Sequence, residues 1–546
     1  MTIPARFRWQ AERIPEHDFL GFAGEKAITY GEAALLVDSL IAFLEKAGIV
    51  PGDRVAILGN NSPHWVIAYL AVTSMGAVAV PLLPDFHAGE IRKFLEHSEA
   101  KMLFAGPAQQ AKVKDLPAES MPVLVALEDF RLLRGEVPPR EADATPARDY
   151  QVEEEDLAVI IYTSGTTGRS KGVMLTHRNI IFDGLKSKKV HPIGEDDVFL
   201  SILPLSHTYE NTIGMIIPIL SGSVIRYLTK PPTPAVLLPA LRKVRPTIML
   251  TVPLIIEKIH KKQVVPAFEK SAFMKRLYGI PFFRKRLNRL AGKKLMKTFG
   301  GRLRFFGIGG AKLNETVEKF LLEARFPYAI GYGLTETSPL IAGFGPANQR
   351  LQSTGPPIEG IEVKIHDPDP ATGEGEIWVR GANVMKGYYK EPKMTREVLS
   401  EDGWFRTGDL GVFDEDNYLY IKGRLKNVII GPGGENIYPE DIESVINTLW
   451  YVDESLVIEE EGRLVAFVRV NLEEVEKKFN ELKESATDFY EKNIDTLLKD
   501  LKEYVNRNVN RFSRIHDVKL QEDPFIKTAT NKIKRFLYGE KKGSRT

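Results

Sequence analysis

The run Leu157-Ala-Val-Ile-Ile-Tyr162 is followed by the loop Thr163-Ser-Gly-Thr-Thr-Gly-Arg-Ser-Lys171-Gly172. The run is apolar and rich in β-branched residues, which predicts a buried strand. In the loop, glycines would let backbone N–H groups approach phosphate oxygens, hydroxyls would donate hydrogen bonds, and lysine would neutralise charge. We therefore predict a polyphosphate site at the end of this strand. A solvated turn of the same composition is the alternative.

Two common nucleotide-binding patterns do not fit this chain. The Walker pattern requires a glycine five residues after Gly165, where Ser170 stands, and a hydroxyl residue after Lys171, where Gly172 stands. The dinucleotide fingerprint fails as well, because Lys312 occupies the position of its last glycine. A different nucleotide chemistry is needed.

The pattern of apolar residues predicts an α/β fold of layered sheets and helices. Trp65–Met75 has the character of a helix, and the β-rich Ala77–Val80 follows it after a glycine. Arg304–Ile308 has the character of a strand that runs into Gly309-Gly310 and then into an amphipathic helix. Since such folds bind ligands in the loops at strand ends, we expect the site there.

Composition excludes several classes of function. The 546 residues include 74 basic and 72 acidic ones, so overall charge does not indicate nucleic-acid binding. Because cysteine is absent, a disulfide framework, a thiolate nucleophile and thiolate zinc sites are excluded. We find neither the apolar core of a signal peptide nor a membrane-spanning run, and we expect a cytoplasmic protein.

Three further motifs occur in order after the loop. They are Gly331-Tyr-Gly-Leu-Thr-Glu336, Phe405-Arg-Thr-Gly-Asp409 and Gly423-Arg424. Together with Tyr162–Gly172 they resemble the motifs of the adenylate-forming superfamily of acyl-CoA synthetases, luciferases and peptide-synthetase adenylation domains, over nearly the whole chain. The character of the sequence changes past Gly423, which predicts a domain boundary near Arg424 to Lys426. With the resemblance, this gives a large N-terminal domain of several subdomains, residues 1–424, and a small mobile α+β C-terminal domain, residues 425–546.

The resemblance also implies the site residues. Thr335 would contact the α-phosphate, Glu336 would hold Mg²⁺, Lys532 would be the C-terminal catalytic lysine, and His207 would border the carboxylate site. The residues implied to bind ATP or AMP are Thr163, Ser164, Gly165, Thr166, Thr167, Gly168, Lys171, Gly309, Gly310, Ala311, Gly331, Tyr332, Gly333, Asp409 and Arg424. Lys426 would be the hinge, and Gly433 and Gly434 would line the coenzyme A channel.

The chain departs from the family pattern at three positions. Ser170 replaces a proline before the loop lysine, Asn427 an aspartate of the hinge, and Asn531 a glycine before the catalytic lysine. None of these changes removes a reactive group.

The implied reaction uses ATP, Mg²⁺ and coenzyme A. A carboxylate attacks the α-phosphorus of ATP, pyrophosphate leaves, and a thiol opens the acyl-adenylate. Leu203-Pro-Leu-Ser-His-Thr-Tyr-Glu210 resembles the form of a substrate-side motif found in fatty acyl-CoA synthetases, which favours a medium- to long-chain fatty acid. An acyl carrier protein ligase, an aryl-acid ligase and, in another class, a silent fatty-acid or nucleotide-binding protein are the alternatives.

Residues 270–304 contain twelve Lys or Arg and no acidic residue, interleaved with aromatic and aliphatic side chains. This composition is typical of peripheral contact with a membrane, which would be the inner membrane surface, or of docking with coenzyme A phosphates or an acyl carrier protein; a solvated basic face is the alternative. The oligomeric state stays open, with a homodimer among the options.

Overall fold

A computed structural model describes residues 1–117, 123–137, 145–163, 170–268, 270–431, 435–473, 475, 486–528 and 532–539, with backbone alone over 486–493. The helices are α1 (Ile3–Arg13), α2 (Tyr30–Lys46), α3 (Pro63–Ser74), α4 (Ala88–Ser98), α5 (Pro107–Val113), α6 (His177–Ser187), α7 (Ile217–Ser221), α8 (Pro234–Val244), α9 (Pro253–Ile259), α10 (Val265–Phe268), α11 (Ala272–Tyr278), α12 (Pro281–Thr298), α13 (Glu315–Ala324), α14 (Pro392–Val398), α15 (Pro439–Ile446) and α16 (Ala486–Asn508). Glu210–Ile216 and His260–Val264 are π-helical, and Thr335–Thr337, Leu425–Asn427 and Arg535–Leu537 are 3₁₀ turns.

The strands are β1 (Asp18–Phe22), β2 (Ile28–Thr29), β3 (Arg54–Leu58), β4 (Val78–Leu82), β5 (Met102–Ala105), β6 (Val123–Ala126), β7 (Leu132–Arg134), β8 (Leu157–Thr163), β9 (Lys171–Thr176), β10 (Val198–Ser201), β11 (Val224–Tyr227), β12 (Ile248–Thr251), β13 (Phe305–Ile308), β14 (Tyr328–Gly333), β15 (Leu340–Gly343), β16 (Ile361–His366), β17 (Gly375–Gly381), β18 (Gly387–Tyr388), β19 (Phe405–Phe413), β20 (Leu419–Arg424), β21 (Ile429–Ile430), β22 (Asn436–Ile437), β23 (Val452–Glu460), β24 (Arg463–Val470) and β25 (Asp517–Leu520).

Two eight-stranded sheets form most of the N-terminal part. Their strand orders are β15-β14-β13-β12-β10-β11-β1-β2 and β18-β9-β8-β4-β3-β5-β6-β7. Helix α3 is buried on every side and contacts strands of both sheets, which explains why its sequence is apolar all round rather than amphipathic. The predicted α/β architecture of layered sheets and helices is confirmed.

The parallel strands bring the predicted nucleotide motifs to one edge. In β13 and β14, Gly307 pairs with Ala329 and Ile308 with Ile330, so both carboxyl ends point the same way. The loop that begins at Gly309 and the 3₁₀ turn Thr335–Thr337 therefore lie at the same edge. The antiparallel sheet β16-β17-β19-β20 adds Asp409 and Arg424, which are paired across β19 and β20.

After Arg424, the strands form two small separate sheets, β21-β22 and β23-β24-β25. Helices α15 and α16 pack with the latter sheet around a core of their own that includes Ile442, Val468 and Leu501. The boundary between 424 and 425 stays a prediction. In the part of the chain that the structure describes, no helix has the length and apolar character needed to cross a bilayer.

Candidate active site

Tyr332, Asp409 and Arg424 form one polar cluster. The hydroxyl of Tyr332 donates to Asp409 Oδ2 at 2.7 Å, and Arg424 Nε lies 2.8 Å from Asp409 Oδ1. Asp409 is only 4% exposed, whereas Tyr332 and Arg424 are half-buried at the cleft. Burial raises the pKa of Asp409, and Arg424 is the largest influence in the opposite direction. Tyr332 and Arg424 therefore both donate to the Asp409 carboxylate. Arg424 is itself positioned by a second hydrogen bond, which its Nη1 donates to Thr407 O at 3.2 Å.

A second cluster joins Glu336, Tyr388 and Lys171. Tyr388 donates its hydroxyl to Glu336 Oε1 at 2.9 Å, and Lys171 Nζ lies 4.5 Å from the centre of the Tyr388 ring. The register explains this contact, because β18 pairs with β9, the strand that begins at Lys171. Burial lowers the pKa of Lys171, Glu336 raises it, and Lys426 lowers it further. The loop lysine, the predicted metal ligand and the predicted hinge lysine thus share one electrostatic environment.

Lys532 lies close enough to both clusters for the charges of Arg424, Asp409 and Glu336 to act on its ammonium. Its side chain is accessible to solvent, yet protein surrounds it closely enough that the loss of bulk water lowers the pKa of its ammonium. Arg424 lowers this pKa as well, while Asp409 and Glu336 raise it. The C-terminal part of the chain is therefore oriented with its predicted catalytic lysine facing the predicted nucleotide residues.

Contacts across the predicted domain boundary accompany this orientation. Lys312 Nζ lies 2.8 Å from Asp441 Oδ1, and Asn314 Nδ2 donates to Ser444 Oγ at 3.0 Å. Lys261 Nζ donates to Val452 O at 2.7 Å. All three partners on the C-terminal side belong to α15 or β23.

His207, on the N-terminal side, is close enough to Lys532 for the lysine's charge to affect it. Burial and the neighbouring Lys532 lower the pKa of His207 to about 4, so its imidazole is neutral near pH 7. The amide N–H of Tyr209 donates to His207 Nδ1 at 3.2 Å, which assigns the ring proton to Nε2. A neutral Nε2–H donor suits the neighbourhood of a carboxylate substrate, since it donates without a full positive charge.

Asn61 holds the loop that presents His207, and sequence reasoning missed it. Its Nδ2 donates to Ser201 Oγ at 2.9 Å and to Leu203 O at 2.6 Å, and its Oδ1 accepts from the N–H of Leu205 at 2.9 Å. Asn61 lies some 140 residues away in sequence, so local patterns could not reveal this role.

We expect Asn61→Ala to lower the free energy of unfolding by about 2 to 3 kcal/mol, because it removes the partners of three part-buried polar groups. The KM for the acid should also rise as the His207 loop loosens. Urea denaturation and initial rates measure the two effects. Asn60→Ala is the matched control, since Asn60 is exposed; equal effects in both variants would contradict the role of Asn61.

The glycines among the predicted nucleotide-binding residues differ in the structural reason for which glycine is needed. A Cβ on Gly333 would lie 1.8 Å from Pro339 O, so this glycine permits the close pairing of β14 with β15. A Cβ on Gly331 would lie 2.9 Å from the Leu340 side chain, so packing against β15 restricts this position too. A Cβ on Gly309 would lie 3.2 Å from the Tyr209 ring, while Gly310 (φ +85°) and Ala311 are exposed. Gly309–Ala311 can therefore accept a ligand, and Gly331 and Gly333 shape the strand next to it.

Several predicted residues lie outside the described part of the chain. These are Ser164, Gly165, Thr166, Thr167 and Gly168 of the phosphate loop, and Gly433 and Gly434 of the channel. The loop is bracketed by Thr163 and Lys171, which face each other across β8 and β9. Thr335 begins the 3₁₀ turn that includes Glu336, and Lys426 is the middle residue of the turn Leu425–Asn427. The departure at Asn427 has a structural counterpart, since Asn427 Nδ2 donates to Glu440 Oε1 at 2.6 Å.

Tyr388 is the second residue that sequence reasoning missed. The available signal was the aromatic pair in Gly387-Tyr388-Tyr389, but nothing in it indicated Glu336, 52 residues away, as its partner. Among the described residues, no group of three or more His, Asp or Glu could hold a metal ion. Glu336 therefore offers a single carboxylate, which fits a cation that takes most of its ligands from a substrate.

Comparison with known proteins gives the family. Residues 7–389 match the model of the AMP-binding enzyme family. The peroxisomal long chain acyl-CoA synthetase 6 of Arabidopsis thaliana is 30% identical over 82% of this chain and 69% of its own length. The 4-coumarate–CoA ligase 1 of Petroselinum crispum is also 30% identical, over 82% of this chain and 80% of its own. ATP-bound MatB from Rhodopseudomonas palustris, 25% identical, superposes with a TM-score of 0.75 over 98% of both chains. The chain belongs to the AMP-binding, adenylate-forming enzyme family and resembles its long-chain fatty acyl-CoA synthetases.

Proposed function

We propose that this enzyme is an AMP-forming acid–thiol ligase that activates a medium- to long-chain fatty acid and transfers it to coenzyme A. The observation that supports the first step best is the meeting of Lys532 with Glu336, Asp409 and His207 in one cleft. In the first step, a carboxylate oxygen bonds to the α-phosphorus of ATP and the bond to pyrophosphate breaks. In the second, the thiol of coenzyme A attacks the acyl carbon and AMP leaves.

The cleft suits a reaction between two anions. Both the carboxylate and the triphosphate are negative, so catalysis depends on positioning and charge neutralisation rather than on a protein nucleophile. Lys171 and Lys532 supply positive charge, and the neutral imidazole of His207 supplies a hydrogen-bond donor. The paired Asp409 and Arg424 would bind the ribose hydroxyls, since a carboxylate accepts and a guanidinium donates.

Mg²⁺ would be held by Glu336 together with substrate phosphates, as a hard cation prefers. When bound, it would neutralise charge on the phosphates. Tyr388 fixes the carboxylate that would bind it.

The identity of the acid rests on the sequence motif and on the relatives. The Leu203–Glu210 motif and the long-chain synthetases among the relatives favour a fatty acid. The 4-coumarate ligase at the same identity favours an aryl acid as the second candidate. An acyl carrier protein as acceptor is the remaining alternative to coenzyme A.

Pyrophosphate release from magnesium-ATP tests the proposal. Fatty acids of increasing chain length and aryl acids are supplied singly, with coenzyme A, with an acyl carrier protein, or without acceptor. Release that depends on a fatty acid and ends in its coenzyme A thioester is the expected result. Preference for an aryl acid would mean that the substrate is an aryl acid rather than a fatty acid. Absence of pyrophosphate release with every acid would favour a silent binding protein.

Lys426→Pro should slow thioester formation by roughly 100-fold while sparing adenylation, because a proline that the second conformation does not accommodate costs about 3 kcal/mol. Lys426 lies in a 3₁₀ turn, and such turns have φ of about −50° to −70°, which includes the φ of proline, so we expect this conformation to tolerate the change. Single-turnover assays of each half-reaction measure the effect. Lys426→Ala, which removes the charged side chain but leaves the backbone unrestricted, is the control; equal losses in both half-reactions of the proline variant would contradict a hinge.

A further inference from the structure

The segment 270–304 folds into α11, α12 and the residues that flank them. We use the name basic face for ten of its exposed cations, which are Lys270, Lys275, Arg276, Lys285, Arg286, Arg289, Lys293, Lys294, Lys297 and Arg302. The two other cations serve the fold, since Arg284 pairs with Glu323 at 2.8 Å and Arg304 pairs with the buried Asp197. Among the described residues, no ion pair involves a residue of the basic face.

Large apolar side chains are exposed among these cations. Phe273 is 74% exposed, Leu290 63% and Phe282 56%, and Ile280 and Phe283 are exposed as well. The Arg286 guanidinium lies 4.5 Å from the centre of the Phe282 ring, so charge and aromatic surface are adjacent. A solvated basic face has no need of these apolar groups, and they indicate a surface that meets an apolar phase.

The spacing along α12 puts both kinds of side chain on one side. Phe282, Arg286, Arg289, Lys293 and Lys297 follow intervals of three and four residues, and Leu290 is adjacent to that stripe. The opposite side is fixed in the protein. Gly292 is buried so closely against α13 that a Cβ there would lie 2.6 Å from Ala324 O, and Leu295 is buried. The helix therefore presents its basic and apolar side outward in a defined orientation.

We propose that the basic face binds an anionic lipid bilayer peripherally, with the cations at the headgroups and Phe273, Phe282 and Leu290 entering the interface. Lysine and arginine next to exposed aromatic and leucine side chains are the composition of helices that lie in a membrane surface. An acidic carrier protein would pair with the cations but would not account for the apolar groups. The proposed membrane binding is argued only from the charge and exposure of the basic face and its apolar neighbours. It does not depend on which acid or which thiol acceptor the enzyme uses.

Co-sedimentation with vesicles tests the proposal. The wild-type enzyme should bind vesicles of about 30 mol% phosphatidylserine in phosphatidylcholine at low salt and should not bind pure phosphatidylcholine, because each cation near an anionic surface strengthens binding roughly fivefold. The triple variant R286E/R289E/K293E should then lose more than about 100-fold in binding. Added salt should weaken the wild-type binding.

The matched control is K93E/K114E/K393E, which makes the same change in net charge at exposed cations outside the segment. It should keep most of the binding, whereas equal loss would mean that only net charge matters and would overturn the proposal. The apolar contribution is tested by Leu290→Ser against Leu35→Ser, since Leu35 is 70% exposed elsewhere. Leu290→Ser should lose roughly 10-fold or more, and Leu35→Ser should lose nothing.

Two further results would overturn the proposal. One is absence of wild-type binding to anionic vesicles at low salt. The other is unchanged vesicle binding in R286E/R289E/K293E together with lost binding to a purified acyl carrier protein, which would make the basic face a protein-docking surface. Circular dichroism of every variant shows that binding losses do not come from unfolding.

Discussion

Lys532→Ala should lower acid-dependent ATP–pyrophosphate exchange by roughly 100- to 1,000-fold, the cost of losing one preorganised charged donor at a reaction centre. The structure places this ammonium near Asp409, Glu336 and His207, where the substrate carboxylate and the α-phosphate would meet. The lost interaction would matter most in the transition state, so kcat should fall more than the KM for ATP rises.

The second half-reaction provides the internal control for Lys532→Ala. Thioester formation from a supplied acyl-adenylate should change little, because the lysine is expected to act before the adenylate forms. Lys534→Ala is the matched variant, since it removes a lysine two residues away along the same segment. If Lys532→Ala keeps normal exchange, or if Lys534→Ala is equally slow, Lys532 has no special part in adenylation.

The pH profile gives a second readout of Lys532. Enclosure in the cleft and the nearby Arg424 lower the pKa of Lys532, so its charge is lost at a lower pH than that of a free lysine. Adenylation by the wild-type enzyme should therefore decline as the pH rises toward that lowered value, and Lys532→Ala should lack this decline.

The strands could be predicted from the sequence for a physical reason, whereas the charged site residues were implied only by the resemblance. Apolar runs such as Leu157–Tyr162 and Arg304–Ile308 become strands because both sheets bury them, and the observed β8 and β13 nearly coincide with these runs. Asp409 and Arg424 were implied by the resemblance, and the structure adds that they are paired across the neighbouring strands β19 and β20.

Other parts of the site depend on contacts that no local pattern contains. Tyr388 reaches Glu336 because β18 pairs with β9, and Asn61 reaches the His207 loop across two sheets. The resemblance assigned Gly331 and Gly333 to nucleotide binding, whereas the structure also gives them a packing role against β15 that only the three-dimensional arrangement shows. Strand pairing between distant segments and close approach of their backbones therefore could not be predicted from the sequence.

Glu336→Gln should lower adenylation by roughly 100- to 1,000-fold and raise the Mg²⁺ concentration needed for half-maximal rate, since it removes charge aimed at the reacting phosphates. Glutamine keeps an oxygen that accepts the Tyr388 hydroxyl, so the side chain stays in place while its charge is lost. Asp409 cannot substitute for it, because Arg424 and Tyr332 already occupy that carboxylate. Exchange assays across a Mg²⁺ titration measure both effects.

Tyr388→Phe separates the charge of Glu336 from its orientation. It removes one hydrogen bond to a charged group, so a loss of about 10-fold is expected, and the phenyl ring keeps its contact with Lys171. Its Mg²⁺ dependence should stay near that of the wild type, because the carboxylate is still present. An unchanged Mg²⁺ dependence in Glu336→Gln would remove Glu336 from the metal site, and a Tyr388→Phe variant as slow as Glu336→Gln would mean that the orientation of the carboxylate matters as much as its charge.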